Sequence, residues 1–261
     1  MIKRVFLFGI FFVLPLFSYS KYSSHIFVNG EPAVVYFNDG DTFRIIEGPL
    51  VGSRVRVRGF NSLESYGAVH QWGNWRADEL FDNAKAATKN ARRNGWHCEV
   101  GEERDFYKRS LGDCHDLAVD MVKKGLAHVM FMSPEEVQED LVELQQEAIK
   151  NRMGMWSKGH IDYVITSVHS ISERKPKRNT TDELTTSDSE SARRKVTVYD
   201  RLVSTKNGLS VIKRHNRLYA TCQKVNYIPE EDTSSMFYIP FKYRYGKTRM
   251  SCLYNETNHG K

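Results

Sequence analysis

The chain has 261 residues, enough for one large domain or two small ones. Hydrophobic content of 40%, aromatics at 12% and charged residues at 27% exclude wholesale disorder and collagen-like sequence. Four cysteines are too few for a disulfide-framework miniprotein, so a hydrophobic core must carry the fold. The formal charge of +6 points weakly to an anionic partner, because excess lysine and arginine also serve simply to solvate a surface.

The first residues set the compartment. Met1-Ile2-Lys3-Arg4 is a basic start, Val5 to Phe17 is apolar, and Ser18-Tyr19-Ser20 supplies small residues before a cut ahead of Lys21. This is the layout of a secretory signal peptide, residues 1–20; the competing reading, an uncleaved anchor, needs a longer apolar run of about 20 residues. An exported protein, periplasmic or secreted, is expected, and no later stretch is apolar enough to span a bilayer. Export permits disulfides, with Cys98–Cys114 and Cys222–Cys252 the pairs nearest in sequence, although four cysteines allow three pairings. His97-Cys98 and Cys114-His115 also form a zinc-like set, but adjacent strand residues point to opposite faces, which favours the disulfide.

Residues 21–158 carry strand patterns and then helical ones. Val34–Phe37 and Thr42–Ile46 flank Asn38-Asp39-Gly40-Asp41, a hairpin with an Asp-Gly turn. Arg54-Val55-Arg56-Val57-Arg58 alternates strictly, which predicts arginines on one sheet face and valines on the other. Helical spacing predicts a first helix from Trp75 to Asn94 and a second from Asp116 to Lys124, stopped by Gly125. Ser133-Pro134-Glu135-Glu136 reads as a capping box opening a third, with Val137, Leu141, Leu144 and Ala148 as its apolar stripe and Gly154 at its end. Residues 159–195 read as a linker, since from Ser167 the chain is rich in Ser, Thr and charge and has no aromatic residue. Residues 196–261 read as a small, mostly β module with strands near Val196–Val203, Arg217–Val225 and Met236–Tyr245. Its Phe241-Lys242-Tyr243-Arg244-Tyr245 is either a stacking strip for nucleic acid or an ordinary aromatic core strand.

Four pieces of the first segment carry chemistry. Asp39-Gly40-Asp41-Thr42 places two carboxylates at a turn, hard oxygen donors suited to calcium. Arg56 offers a planar fork for a phosphate, and Glu64 lies on the loop that leaves its strand. Arg104-Asp105-Phe106-Tyr107-Lys108-Arg109 gathers cations, an acid and a phenol before Cys114.

In their order and spacing these pieces resemble the staphylococcal nuclease (thermonuclease-like) family over about residues 25–158. The matching elements are Asp-Gly-Asp-Thr at 39–42, Arg56…Asn61…Glu64 and Arg-Asp-x-Tyr-x-Arg at 104–109. Val122-Lys123-Lys124-Gly125-Leu126-Ala127 and Gly154-Met155-Trp156-Ser157 follow them. The resemblance implies an α+β fold, an OB-like five-stranded barrel with three helices. It implies calcium-dependent endonucleolytic cleavage of DNA or RNA to 3′-phosphate products. Carried over by position, Asp41 and Asn61 are metal ligands, Glu64 the general base, Arg56 and Arg109 the phosphate clamp, and Tyr107 a nucleotide contact. Three positions depart from the family: Asn61 is neutral where aspartate is common, Leu63 replaces proline, and Lys108 replaces glycine. Asn61 keeps a second reading open, a non-catalytic nucleic-acid-binding protein built on a degenerate barrel.

The charge is unevenly spread. Residues 21–158 hold 18 basic and 21 acidic side chains, whereas residues 196–261 hold 11 and 5. The basic excess therefore belongs to the C-terminal module, and the nuclease reading rests on placed residues alone.

Overall fold

The computed structural model describes residues 23–65, 69–170, 194–219, 223–226 and 235–238. The expected signal peptide, Cys222, Cys252 and the strip at 241–245 lie outside these residues.

Strand β1 (Ser24–Val28) alternates buried and exposed side chains and turns through Asn29-Gly30 into β2 (Glu31–Phe37). Both turn residues have positive φ, 52° and 79°, which matches the right-handed twist of a two-residue hairpin. The Asp39-Gly40 turn then leads to β3 (Thr42–Glu47), as the sequence predicts, and β4 (Arg54–Val57) follows. Strand β5 (Gly59–Ser62) leaves the barrel at Gly59, whose φ is +86°, and β6 (Val69–Gln71) precedes helix α1 (Ala77–Ala91). Strands β7 (His97–Arg104) and β8 (Ser110–Asp113), helix α2 (His115–Lys123), strand β9 (Ala127–Met130) and helix α3 (Glu139–Lys150) complete this part.

The barrel closes in the order β1-β2-β3-β4-β8-β7, with β1–β7 and β4–β8 parallel and the other pairs antiparallel. The architecture is the expected OB-like α+β barrel with three helices, but six strands close it rather than five. The Asn29-Gly30 hairpin accounts for the difference, because β1 pairs with both β2 and β7. Inside, Phe37, Phe43, Phe60, Val55 and Leu117 are fully buried. Each such side chain contributes about 1.5–3 kcal/mol relative to exposure. A second cluster around Leu63, Trp72, Leu80 and Trp156 fills the space below α1.

Two local expectations change. Ser133 makes no side-chain cap; Pro134–Glu136 form a single 3₁₀ turn, Val137 is extended, and α3 starts only at Glu139. The alternation of Arg54 to Arg58 leaves Arg54 and Arg58 exposed, but Arg56 is buried along with its valine neighbours rather than solvated.

The linker expected over 159–195 is ordered at its start. Strand β10 (Tyr163–Ser170) pairs with β11 (Arg194–Ser204), and β11 pairs with β12 (Ser210–Tyr219). Val164 is buried in the second cluster, which the polar composition of the following stretch concealed. The turn between β11 and β12 is fastened to the barrel. Phe131 N donates to Gly208 O (2.8 Å), Ser210 N donates to Phe131 O (3.1 Å), and Gln146 Nε2 donates to Thr205 O (2.8 Å). Gly208 is required there: its φ is +74°, and a Cβ would stand 2.8 Å from the Phe131 ring. Strands β13 (Gln223–Asn226) and β14 (Ser235–Tyr238) pair with each other, and β14 also pairs with β6.

Cys98 and Cys114 form the expected disulfide, which ties β7 to the N-terminus of α2. Their histidine neighbours turn elsewhere, His97 onto Phe27 and Asp116 and His115 onto Asp140, so no zinc set forms. The bond closes a short loop, so the double variant Cys98→Ala/Cys114→Ala is expected to lose about 3 kcal/mol in urea unfolding. An unchanged midpoint would show that the barrel holds this hairpin without the bond.

Candidate active site

The Asp39-Gly40 turn delivers Asp41 into the mouth of the barrel. Gly40 permits this, since a Cβ there would meet Ser62 Cβ at 2.7 Å. Ser62 returns two bonds, its N and Oγ donating to Asp41 Oδ2 at 2.8 and 2.9 Å. Arg56 faces the other oxygen, with Nη1 2.9 Å from Asp41 Oδ1, and both residues are less than a tenth exposed. Burial pushes the Asp41 carboxyl up, but Arg56 and the Ser62 hydrogen bonds outweigh it and hold the group below the usual carboxylate range.

Arg56 is held from all sides. Its Nη1 also donates to Val57 O (3.1 Å) and Asp41 O (3.3 Å), and its Nη2 to Phe60 O (3.2 Å) and Asn61 Oδ1 (2.8 Å). Asn61 is locked in turn. Its Nδ2 donates to Ser62 O (2.9 Å) and lies 3.3 Å from His128 Nε2, across the β5–β9 pairing. His128 Nδ1 stands 2.9 Å from Val129 O, which fixes its proton on Nδ1 and leaves Nε2 to accept from Asn61. Burial lowers the His128 pKa to about 4, so the ring is neutral at neutral pH. Neither Ser62 nor His128 carried a readable sequence signal; each is defined only by its partner across the fold.

Two further carboxyls converge on this pair. Asp39 is pushed up to about 7 by burial and by Asp41. Glu64 is pushed up to about 8 by burial, then by repulsion from Asp41 and Asp39, with Arg56 and Arg109 opposing the rise. Arg109 is set by Asp105, which accepts from its Nε at 2.7 Å and from its backbone N at 2.9 Å; its Nη1 donates to Thr42 Oγ1 at 3.2 Å. Its guanidinium lies 5.4 Å from the centre of the Tyr107 ring. Asp41, Arg56, Asn61, Glu64 and Arg109 thus share one site, and Tyr107, 55% exposed, stands at its rim.

The family departures acquire local explanations. Leu63 lacks the stiffness of proline, but its buried side chain in the second cluster anchors the backbone beside Glu64. Lys108 adopts φ 61°, the left-handed conformation that glycine would take freely, at a cost of about 1–2 kcal/mol. Among the described residues no group of three or more His, Cys, Asp or Glu is arranged to hold a metal ion. The donor chemistry nevertheless fits a hard divalent cation. All the acidic side chains offer oxygen, and the pKa values of Asp39 and Glu64, raised by burial and then by neighbouring carboxylates, would be lowered by a cation.

The same shifts fix a pH dependence. With folded values raised above the unfolded ones, Asp39 and Glu64 keep protons that the unfolded chain has released, so their stabilisation is lost as pH rises through 7 and 8. In chelator, the urea midpoint is expected to fall from about pH 5 to about pH 8. Asp41, shifted downward, acts in a separate window and removes stability only under acid conditions. A midpoint that rises over the neutral range would show that the fold does not raise the Asp39 and Glu64 carboxyls.

The family model for staphylococcal nuclease homologues matches residues 54–158. No curated protein matches the chain. The match begins at β4, so β1–β3 and with them Asp41 precede it while belonging to the same closed barrel. It contains Arg56, Asn61, Glu64 and Arg109, and over this segment the chain is similar to staphylococcal nuclease homologues.

Proposed function

We propose that the barrel is an exported, calcium-dependent nuclease that hydrolyses phosphodiester bonds of DNA or RNA and leaves 3′-phosphate ends. The observation that carries this reading is that Glu64 lies within electrostatic reach of Arg56, Arg109 and the acidic pair Asp39 and Asp41. A phosphodiester is anionic, so attack by water needs a base for the proton and positive charge for the pentacoordinate transition state. Glu64, as carboxylate, takes the proton of a water whose oxygen attacks phosphorus. The bond to the 5′-oxygen breaks, that oxygen takes a proton from solvent water, Glu64 returns its own proton to solvent, and the 3′-phosphate remains. Arg109 and Arg56 donate to the non-bridging oxygens. Arg56 reaches the substrate by exchanging one of its longer carbonyl bonds, at 3.2–3.3 Å, for a phosphate oxygen.

Calcium would be held by Asp41, with Asn61 and the turn carboxylate Asp39 beside it, and when bound it supplies the charge that neutralises phosphate and carboxyls. Such a charge would favour the carboxylate form of Glu64, the form that accepts a proton. Export is supported by the Cys98–Cys114 bond, which persists in oxidising compartments. Among the described residues no helix is long and apolar enough to cross a membrane.

The test incubates the mature chain with single-stranded DNA in calcium and then in chelator. Cleavage in calcium alone is expected, and Glu64→Gln should lower turnover by about 10²–10⁴-fold while keeping the melting temperature. Uncleaved DNA at every calcium concentration would overturn the enzyme reading. It would favour a binding protein on a degenerate barrel, a reading that the neutral Asn61 and the fully engaged Arg56 support. Asn61→Asp adds charge to the metal site and is expected to tighten calcium binding in calorimetry. A weaker affinity would place the ion away from this side chain.

A further inference from the structure

Asn61 offers its oxygen to Arg56 and its amide to His128, so whatever holds His128 in place also holds the site. His128 lies on β9, which pairs with β5 in the register that sets His128 opposite Asn61. A pairing of two strands is marginal by itself and needs support from elsewhere in the fold. Part of that support comes from beyond the family-matched segment.

Just past the paired stretch, Phe131 N donates to Gly208 O (2.8 Å) and Phe131 O accepts from Ser210 N (3.1 Å). The turn at 205–210 therefore runs beside the end of β9 as a short parallel partner, with Phe131 opposite Leu209. Within the strand, Val129 N donates to Gln145 Oε1 at 2.8 Å. Gln145 is fully buried in α3, and its Nε2 donates to Thr205 O, so one side chain joins the strand to the turn. Thr205 is pinned as well, its N donating to Asp162 O (2.9 Å) and its Oγ1 to Ile161 O (2.7 Å).

The other polar atom of the Val129 backbone belongs to the site. Val129 O accepts the His128 Nδ1 proton at 2.9 Å, which leaves Nε2 to accept from Asn61. A shift of the chain at Val129 moves that acceptor, and with it the tautomer and the aim of the ring. Gln145 and His128 thus hold the two sides of one residue, and the first of them answers to the C-terminal turn.

We propose that Gln145 and the turn at 205–210 are positioning elements of the site: they fix β9 at Val129, and through it the His128 ring that orients Asn61. The role of Asn61 toward a metal rests on the nuclease reading, whereas its orientation is read without metal or cleavage.

Heteronuclear NMR of the full chain in chelator reads the Asn61 side-chain amide and the two ring nitrogens of His128. The wild-type chain is expected to show one His128 tautomer, with its proton on Nδ1. Its Val129, Phe131 and Ser210 amides should exchange with solvent through a common opening. Gln145→Met keeps the volume and removes both bonds, while Gly208→Val drives a Cβ into Phe131 and Val129. Each is expected to displace the Asn61 amide signals and to mix the His128 tautomers. Calcium affinity in calorimetry should fall about 10–100-fold in both, the usual loss when a group that orients a metal ligand is removed. Cys98→Ala/Cys114→Ala weakens the fold elsewhere and should leave the Asn61 and His128 signals in place. Wild-type signals, or wild-type calcium affinity, in whichever of the two variants folds would overturn the proposal. So would equal displacement in the disulfide variant, or a wild-type Ser210 amide that exchanges far faster than that of Val129. Displaced signals in a chain that binds no calcium and cleaves no DNA would keep the proposal and sink only the nuclease reading.

Discussion

The Arg56 guanidinium, buried in the mouth of the barrel, constrains almost everything around it. A buried charge without partners would be prohibitive, and a pair broken on one side costs more than the pair is worth intact. The fold answers with acceptors from three pieces of chain: the turn before β3, the strand β4 itself, and β5. Asp41 must reach inward to meet it, which requires Gly40 to pass close to Ser62. Asn61 must present its oxygen rather than its amide nitrogen, and His128 enforces that choice from β9 by offering a nitrogen acceptor on the other side. The β5–β9 pair outside the barrel is thus coupled to the chemistry inside it.

That arrangement sets the acid–base character of the site. Burial drives Asp39 and Glu64 upward, and Asp41, kept ionised by Arg56, adds its repulsion to both. Positive charge brought into the site would favour the ionised forms of both carboxyls.

What could be read from the sequence divides along local and non-local lines. The Asp-Gly hairpin, the second helix, the Gly125 stop and the Cys98–Cys114 bond are encoded within a few residues or one short loop, and the structure has them. The Asn29-Gly30 turn was equally local; with it the barrel gains a sixth strand, which the family resemblance alone did not supply. Other features depend on distant partners. Alternation placed Arg56 on a polar face, but its direction is decided by Asp41, fifteen residues earlier. The capping box at Ser133 had the right residues, yet Val137 is extended and the helix starts later. The roles of Ser62 and His128 exist only across hydrogen bonds to Asp41 and Asn61. Composition misjudged β10 because a polar strand can be held by pairing to β11 and by one buried face rather than by its own apolar content.

The β11–β12 turn is bonded to the barrel rather than tethered beside it. Exposed charges are screened beyond about 8 Å at physiological salt, so a basic excess on a loosely tethered module would do little for a groove elsewhere. Gly208 removes that freedom. With no Cβ it lets the turn pass against Phe131 and Val129, and its carbonyl and the amide of Ser210 close a two-bond bridge to Phe131. Gln145, buried in α3, joins the same junction by accepting from Val129 N and donating to Thr205 O. The β11–β12 turn is thereby fixed against β9 and α3 by backbone and side-chain bonds together.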